Sequence, residues 1–155
     1  MILFKNKLQK AKASIKGSSK YPNIKGEITF KQVNAGVMVT ADVRGLPHSG
    51  KKCENGVFAL HIHSGKSCSG NAEDEFADAL THYNPNGCEH PYHAGDLPPL
   101  FENGGRAYMR VLTDRFKVSD IIGLTVIVHA NPDDMRTQPS GASGEKIACG
   151  VIEPA

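Results

Sequence analysis

No stretch of this 155-residue chain is apolar for long enough to cross a membrane as a helix. Its most apolar short run, Leu124 to Val128, falls far below the roughly 20 residues a span needs. After Met1 only Ile2, Leu3 and Phe4 come before Lys5, where an export signal has an apolar stretch of roughly 7–15 residues. The expected location is therefore the cytoplasm as the chain is written, or the destination of an exported mature form. Charge of a single sign is scarce as well. Eighteen Lys and Arg stand against sixteen Asp and Glu, and the net charge of +2 comes with no dense basic tract. That balance argues against a nucleic acid or an acidic membrane as partner. Internal repeats, low-complexity segments and a strong helical period are also missing.

What is present suits one soluble domain over residues 1–155, with 1–10 as an N-terminal extension. At 39% hydrophobic and 22% charged, the composition is that of an ordinary globular protein with a single core. Sixteen Gly and nine Pro punctuate it, as many short strands joined by turns require. Strand-length runs occur at Ala11–Gly17, Gly26–Val33, Gly36–Arg44, Val57–His63, Arg106–Thr113, Leu124–His129 and Lys146–Ile152. In Gly36–Arg44, Val37, Val39, Ala41 and Val43 share one face, and Met38, Thr40 and Asp42 the other. Turn signals at Tyr21-Pro22-Asn23, Asn34-Ala35-Gly36, Gly45-Leu46-Pro47 and Glu102-Asn103-Gly104-Gly105 separate the runs. Seven or eight such strands predict an all-β antiparallel sandwich or barrel. Residues 64–99 hold almost no convincing strand, and 130–145 are rich in Pro, Gly, Ser and Asp. Loops of that length in a compact domain point to function or disorder. Lys117–Ile122 reads as one turn of helix.

Six of the seven histidines fall in or beside those loops. His61-Ile62-His63 ends a strand, where a period of two projects both imidazoles to one side. His82, His90, His93 and Asp96 share one irregular segment, and His129 closes the run Leu124–Val128. A lone histidine is usually solvated or hydrogen-bonded, but this cluster is metal-like. Imidazoles suit copper and zinc, and a carboxylate beside them suits tetrahedral zinc. His90, His93 and Asp96, three residues apart with Pro91 and Gly95 between them, can converge on one ion.

These motifs resemble the copper/zinc superoxide dismutases from about Ala11 to Ile152. The matches are His61-Ile62-His63, His82-Tyr83-Asn84-Pro85, His93-Ala94-Gly95-Asp96-Leu97, Val126-Ile127-Val128-His129 and Ala148-Cys149-Gly150-Val151-Ile152. The order makes them specific. The resemblance implies an eight-stranded Greek-key β-sandwich or flattened barrel with two long functional loops. It implies that His61, His63 and His129 bind copper and that His82 bridges copper to zinc. His90, His93 and Asp96 would complete the zinc site, with Asp133 joining His61 to His90 from behind. Cys68 and Cys149 match the family disulfide. Cys53 and Cys88 have no counterpart: a second disulfide, free thiols and soft copper ligands all remain open. If paired, the cysteines favour an oxidising compartment, against the reading of the N-terminus.

The implied activity is dismutation of superoxide to oxygen and hydrogen peroxide, with His82 as proton carrier. Family members are often dimers, so a homodimer is an expectation of the same kind. Departures from the family pattern also matter. Only two residues separate His90 from His93, so the zinc loop is short. Lys146 stands where the family has an arginine, which trades a planar fork for a mobile point charge. Lys146 is expected to be the last positive charge on the path of the anion, opposed by Glu145 if that side chain faces the channel. Phe58 replaces a histidine, Ser140 falls at the channel mouth, and His48 matches no ligand. Two alternatives stand beside the enzyme: a copper/zinc-binding protein with little turnover, and a structural zinc domain with a vacant copper site.

Overall fold

The computed structural model describes residues 9–54 and 56–155, so most of the expected N-terminal extension lies outside the described residues. Eight strands follow in order: β1 Lys10–Gly17, β2 Lys25–Val33, β3 Gly36–Arg44, β4 Val57–His63, β5 Asp96–Phe101, β6 Ala107–Thr113, β7 Thr125–His129 and β8 Lys146–Pro154. One short helix, α1 Val118–Ile121, precedes β7, inside the expected helical turn. All strands pair antiparallel in the order β5-β4-β7-β8-β1-β2-β3-β6. The end strands β5 and β6 lie against each other, so the sheet nearly closes on itself as the Greek-key flattened barrel expected.

The alternation read from the sequence decides which side chains fill the barrel. In β1, Ala11, Ala13 and Ile15 are buried while Lys10, Lys12 and Lys16 are exposed. In β3, Val37, Val39, Ala41 and Val43 all reach the core, and Phe30 meets Phe116 edge-on at 6.3 Å. Strands β4 and β7 differ because both of their faces are buried. Leu60, Ile62, Val126 and Val128 enter the core, whereas His61, His63, Thr125 and His129 point the other way, under the long loops.

Strand β5 lies partly within the stretch that looked strandless. Its sequence, Asp96-Leu97-Pro98-Pro99-Leu100-Phe101, holds two prolines that can donate nothing to a ladder. An edge strand tolerates them, and β5 is an edge.

Candidate metal centre

The end of β4 fixes the centre. His63 forms an isolated bridge with His82, while Ser64 N–H donates to Thr81 O and Tyr83 N–H to Ile62 O. Segment 81–83 is thereby laid along β4 and sets His82 beside His61, with ring centroids 3.9 Å apart. Gly95 continues the arrangement: its N–H donates to Tyr83 O and its carbonyl accepts from Ile62 N–H. A Cβ on Gly95 would stand 2.3 Å from Ile62 O, so only glycine lets the zinc loop approach so closely. His129 arrives from β7, next to β4.

Two groups of ligand atoms result, each with all atoms within 4.8 Å of one another: His61, His63, His82 and His129, and then His82, His90, His93 and Asp96. His82 belongs to both, and all seven residues are buried. Backbone and carboxylate partners dictate which nitrogens bear protons. His63 donates from Nδ1 to Leu80 O at 2.9 Å, and His129 from Nδ1 to Gly144 O at 3.2 Å. Their Nε2 atoms, 3.2 Å apart, are then two lone pairs facing each other. Asp133 accepts from His61 Nε2 at 2.7 Å and from His90 Nε2 at 2.8 Å. That leaves Nδ1 of both rings as buried acceptors, and neither has a hydrogen-bond partner. His90 Nδ1 even sits 3.0 Å from Asp96 Oδ2, acceptor against acceptor. His82 Nε2 is likewise buried and unpartnered.

Converging lone pairs in a dry site repel and leave acceptors unsatisfied unless a cation lies between them. The donor chemistry fits two ions, a four-nitrogen set suited to copper and a three-nitrogen, one-carboxylate set suited to zinc.

Burial keeps His61, His63 and His129 in the neutral form that ligates. It pulls His61 below its ordinary value despite the Asp133 bond, takes His63 well below with help from nearby His129, and takes His129 down to about 3. For Asp133, burial works in the opposite sense, but the bonds from His61, His90 and Met135 N–H overcome it and hold the carboxyl ionised. Asp96 is lowered in the same way, against its burial, chiefly by His82.

Supports that the sequence reading missed hold the short zinc loop. Arg115 donates from one nitrogen to Pro91 O, His93 O and Asp96 O at 2.8, 3.2 and 3.4 Å. Gln138 clasps His90 through both N–H and carbonyl, at 2.9 and 2.7 Å. At Gly141, with φ +72, a Cβ would lie 2.0 Å from Asp133 Oδ1, so the Asp133 link depends on glycine there. None of these residues carries a motif; they are legible only once the loops are folded together.

A cavity of about 410 Å³ opens on the four-histidine side, lined by His63, His82, His129, Leu80, Ser140 and Lys146 among others. Leu80 forms its rim with φ 62 and ψ −140, a conformation costly for a side-chain residue. Its carbonyl is the one that orients His63, which places the strain beside the function. Ser140 is at the cavity as expected. Lys146, expected as the last positive charge on the path of the anion, is there too, and its ammonium donates to Asp74 Oδ2 at 2.6 Å. Glu145 does not face the channel; it pairs with Lys20 at 3.0 Å.

Cys68 and Cys149 form the disulfide, 81 residues apart. Cys53 and Cys88 are both exposed free thiols, so a second bridge between them is not formed. Phe58 is a core side chain, and His48 is bonded at 3.0 Å to the buried Glu102 carboxylate, well away from any metal ligand in sequence.

Residues 24–152 match the family model described as copper/zinc superoxide dismutase (SODC). The chain is 36% identical over 136 residues to the Cu-Zn superoxide dismutase of Legionella pneumophila, covering 83% of this chain and 77% of that protein. It is 32% identical over 142 residues to the Cu-Zn superoxide dismutase of Escherichia coli (strain K12), covering 83% and 78%. Against Cu-Zn superoxide dismutase 2 of Aquifex aeolicus (strain VF5), identity is 29% over 157 residues, covering 89% and 86%.

Proposed function

The chain belongs to the copper/zinc superoxide dismutase family and dismutes superoxide to oxygen and hydrogen peroxide, and we propose a division of labour among its residues. His61, His63, His82 and His129 would hold copper; His82, His90, His93 and Asp96 would hold zinc. Copper, when bound, supplies the one-electron chemistry, and zinc fixes the shared histidine. The observation that carries this reading is His82, which belongs to both clusters, with Nδ1 2.8 Å from Asp96 Oδ1 and Nε2 buried without a partner.

The protein's own tasks follow from the atoms named. Asp133, spanning His61 and His90, fixes the tautomer of one histidine in each cluster, and the carbonyls of Leu80 and Gly144 do the same for His63 and His129. Dismutation consumes two protons for every two superoxide anions. His82 lines the cavity, and its Nε2 is the buried atom at which this chain can hold one of them beside the incoming anion. Lys146, paired with Asp74, supplies an ammonium donor on the cavity wall. The Cys68–Cys149 bridge supports an oxidising compartment as the protein's location.

The test is metal stoichiometry together with superoxide consumption, on wild type and His61→Ala. The expected result is one copper and one zinc per chain with rapid turnover, and loss of copper and activity with zinc retained in the variant. Both metals bound without turnover would establish the binding-protein alternative instead. Zinc alone, after copper reconstitution, would establish the structural domain.

A further inference from the structure

Among the residues lining the cavity, Lys146 is the one with a fixed charge, yet that charge is shared with a carboxylate outside the lining. Lys146 opens β8, paired with His129, and its side chain is only 17% exposed. Its Nζ donates to Asp74 Oδ2 and, more weakly, to Phe76 O at 3.4 Å. The acceptors do not wander. Asn71 Oδ1 accepts from Asp74 N–H, Phe76 N–H donates back to Asp74 Oδ1, and Glu75 accepts from Ser19 at 2.9 Å. The disulfide at Cys68 ties the same loop to β8. Asp74 is ionised at neutral pH: burial works against it, but the Lys146 bond and the Phe76 N–H hold its carboxyl below the ordinary value. Glu145, the other acid beside Lys146, is occupied by Lys20 at the surface.

We infer that Asp74 is the positioning residue for Lys146: by holding the ammonium against the cavity wall and balancing its charge, it sets how strongly the cavity attracts an anion. A free lysine would swing toward the cavity as a full unit charge. The paired lysine presents a directed N–H with little net field, so the pull on an anion is weak at long range and local at contact. Such a device favours placement over capture. It also accounts for a lysine standing in for the family's arginine, since the second fixed partner supplies the orientation that a planar fork would otherwise give.

This inference rests on the dismutase reading, so its test uses a readout that needs no turnover. Azide, a small anion that changes the absorption of copper when it binds, is titrated into the copper/zinc-loaded enzyme at several ionic strengths. Superoxide consumption is measured in parallel. Asp74→Asn is expected to bind azide about 3- to 10-fold more tightly at low salt, and to show a steeper fall with salt in both measurements. Lys146→Gln should bind azide more weakly and flatten the salt dependence. Asp74→Glu keeps the charge and should retain the wild-type salt slope. The decisive comparison is Asp74→Asn made in the Lys146→Gln protein, where its effect on azide should shrink several-fold. Equal effects in the two backgrounds would overturn the inference, because Asp74 would then act only as a distant charge. Unchanged azide affinity in Asp74→Asn would overturn it as well. A protein that binds azide as expected but does not consume superoxide would sink the dismutase reading and leave the role of Asp74 standing.

Discussion

Asp133 shows how a single carboxylate can decide the chemistry of two metals. Its two oxygens each accept one imidazole N–H, from His61 on one side and His90 on the other. Asparagine keeps the shape but offers one acceptor oxygen and one donor NH2. One of the two histidines would then face a donor and have to turn its proton onto Nδ1, the atom needed for the metal. For Asp133→Asn we therefore expect the affinity for one of the two ions to fall about 10- to 100-fold with the fold intact. Competition with a chromophoric chelator measures it; unchanged affinity for both metals would refute the tautomer argument. At this scale the sequence was most readable. All seven ligands and Asp133 come together where the histidine spacing and the family resemblance placed them. The partners Asp74, Arg115 and Gln138 were not readable, because each lies 19 or more residues from what it holds and carries no local signature.

Among the elements, hydrophobic alternation set most strands to within a residue or two, since one face of each had to enter the barrel. It failed at β5, where prolines hide an edge strand, and it could say nothing about how the loops are held. Arg115, just past β6, grips three carbonyls of the zinc loop. Arg115→Met should release zinc roughly 10-fold faster, by the scale of losses seen when supports of metal ligands are removed, while leaving copper bound. Stopped-flow chelation reads the rate, and an unchanged rate would show that the loop holds itself. The cysteines give a second check. Iodoacetamide should modify the native protein at the two exposed thiols, Cys53 and Cys88, and at four sites after reduction and unfolding. Closing an 81-residue separation, the Cys68–Cys149 bond stabilises by roughly 4–5 kcal/mol in the chain-entropy picture. Its reduction should cost stability on that scale and also loosen the loop that carries Asp74.

For the whole molecule, the barrel and the metal centre stand back to back. The core cluster fills the inside of the sheet, while His61, His63 and His129 project from the outer faces of β4 and β7, and the loop after β4 brings His82, His90 and His93 over them. The barrel is therefore complete without metal, and the cost of an empty centre falls on buried, unpaired histidines. Its pH dependence has a definite sign. His61, His63 and His129 have folded values below the ordinary 6.5, so below that pH the unfolded chain binds more protons than the folded one. The stability tied to these neutral rings is complete above about pH 6.5 and drains away as the pH falls toward about 3, where His129 titrates in the folded state. Asp96 and Asp133, also lowered, contribute in full above the ordinary carboxyl value of 3.8 and lose that contribution as the pH falls from there through their folded values. The urea midpoint of the metal-free protein should accordingly decline from pH 7 to pH 4. His129→Gln, with no titrating ring at that position, should decline less steeply. Metals reinforce the trend, because protons compete for the same lone pairs, so the stabilisation they add should shrink over the same interval. A metal-free midpoint that stays flat between pH 7 and pH 4 would mean that these histidines are charged or solvated, and the facing lone pairs on which the metal centre rests would not exist.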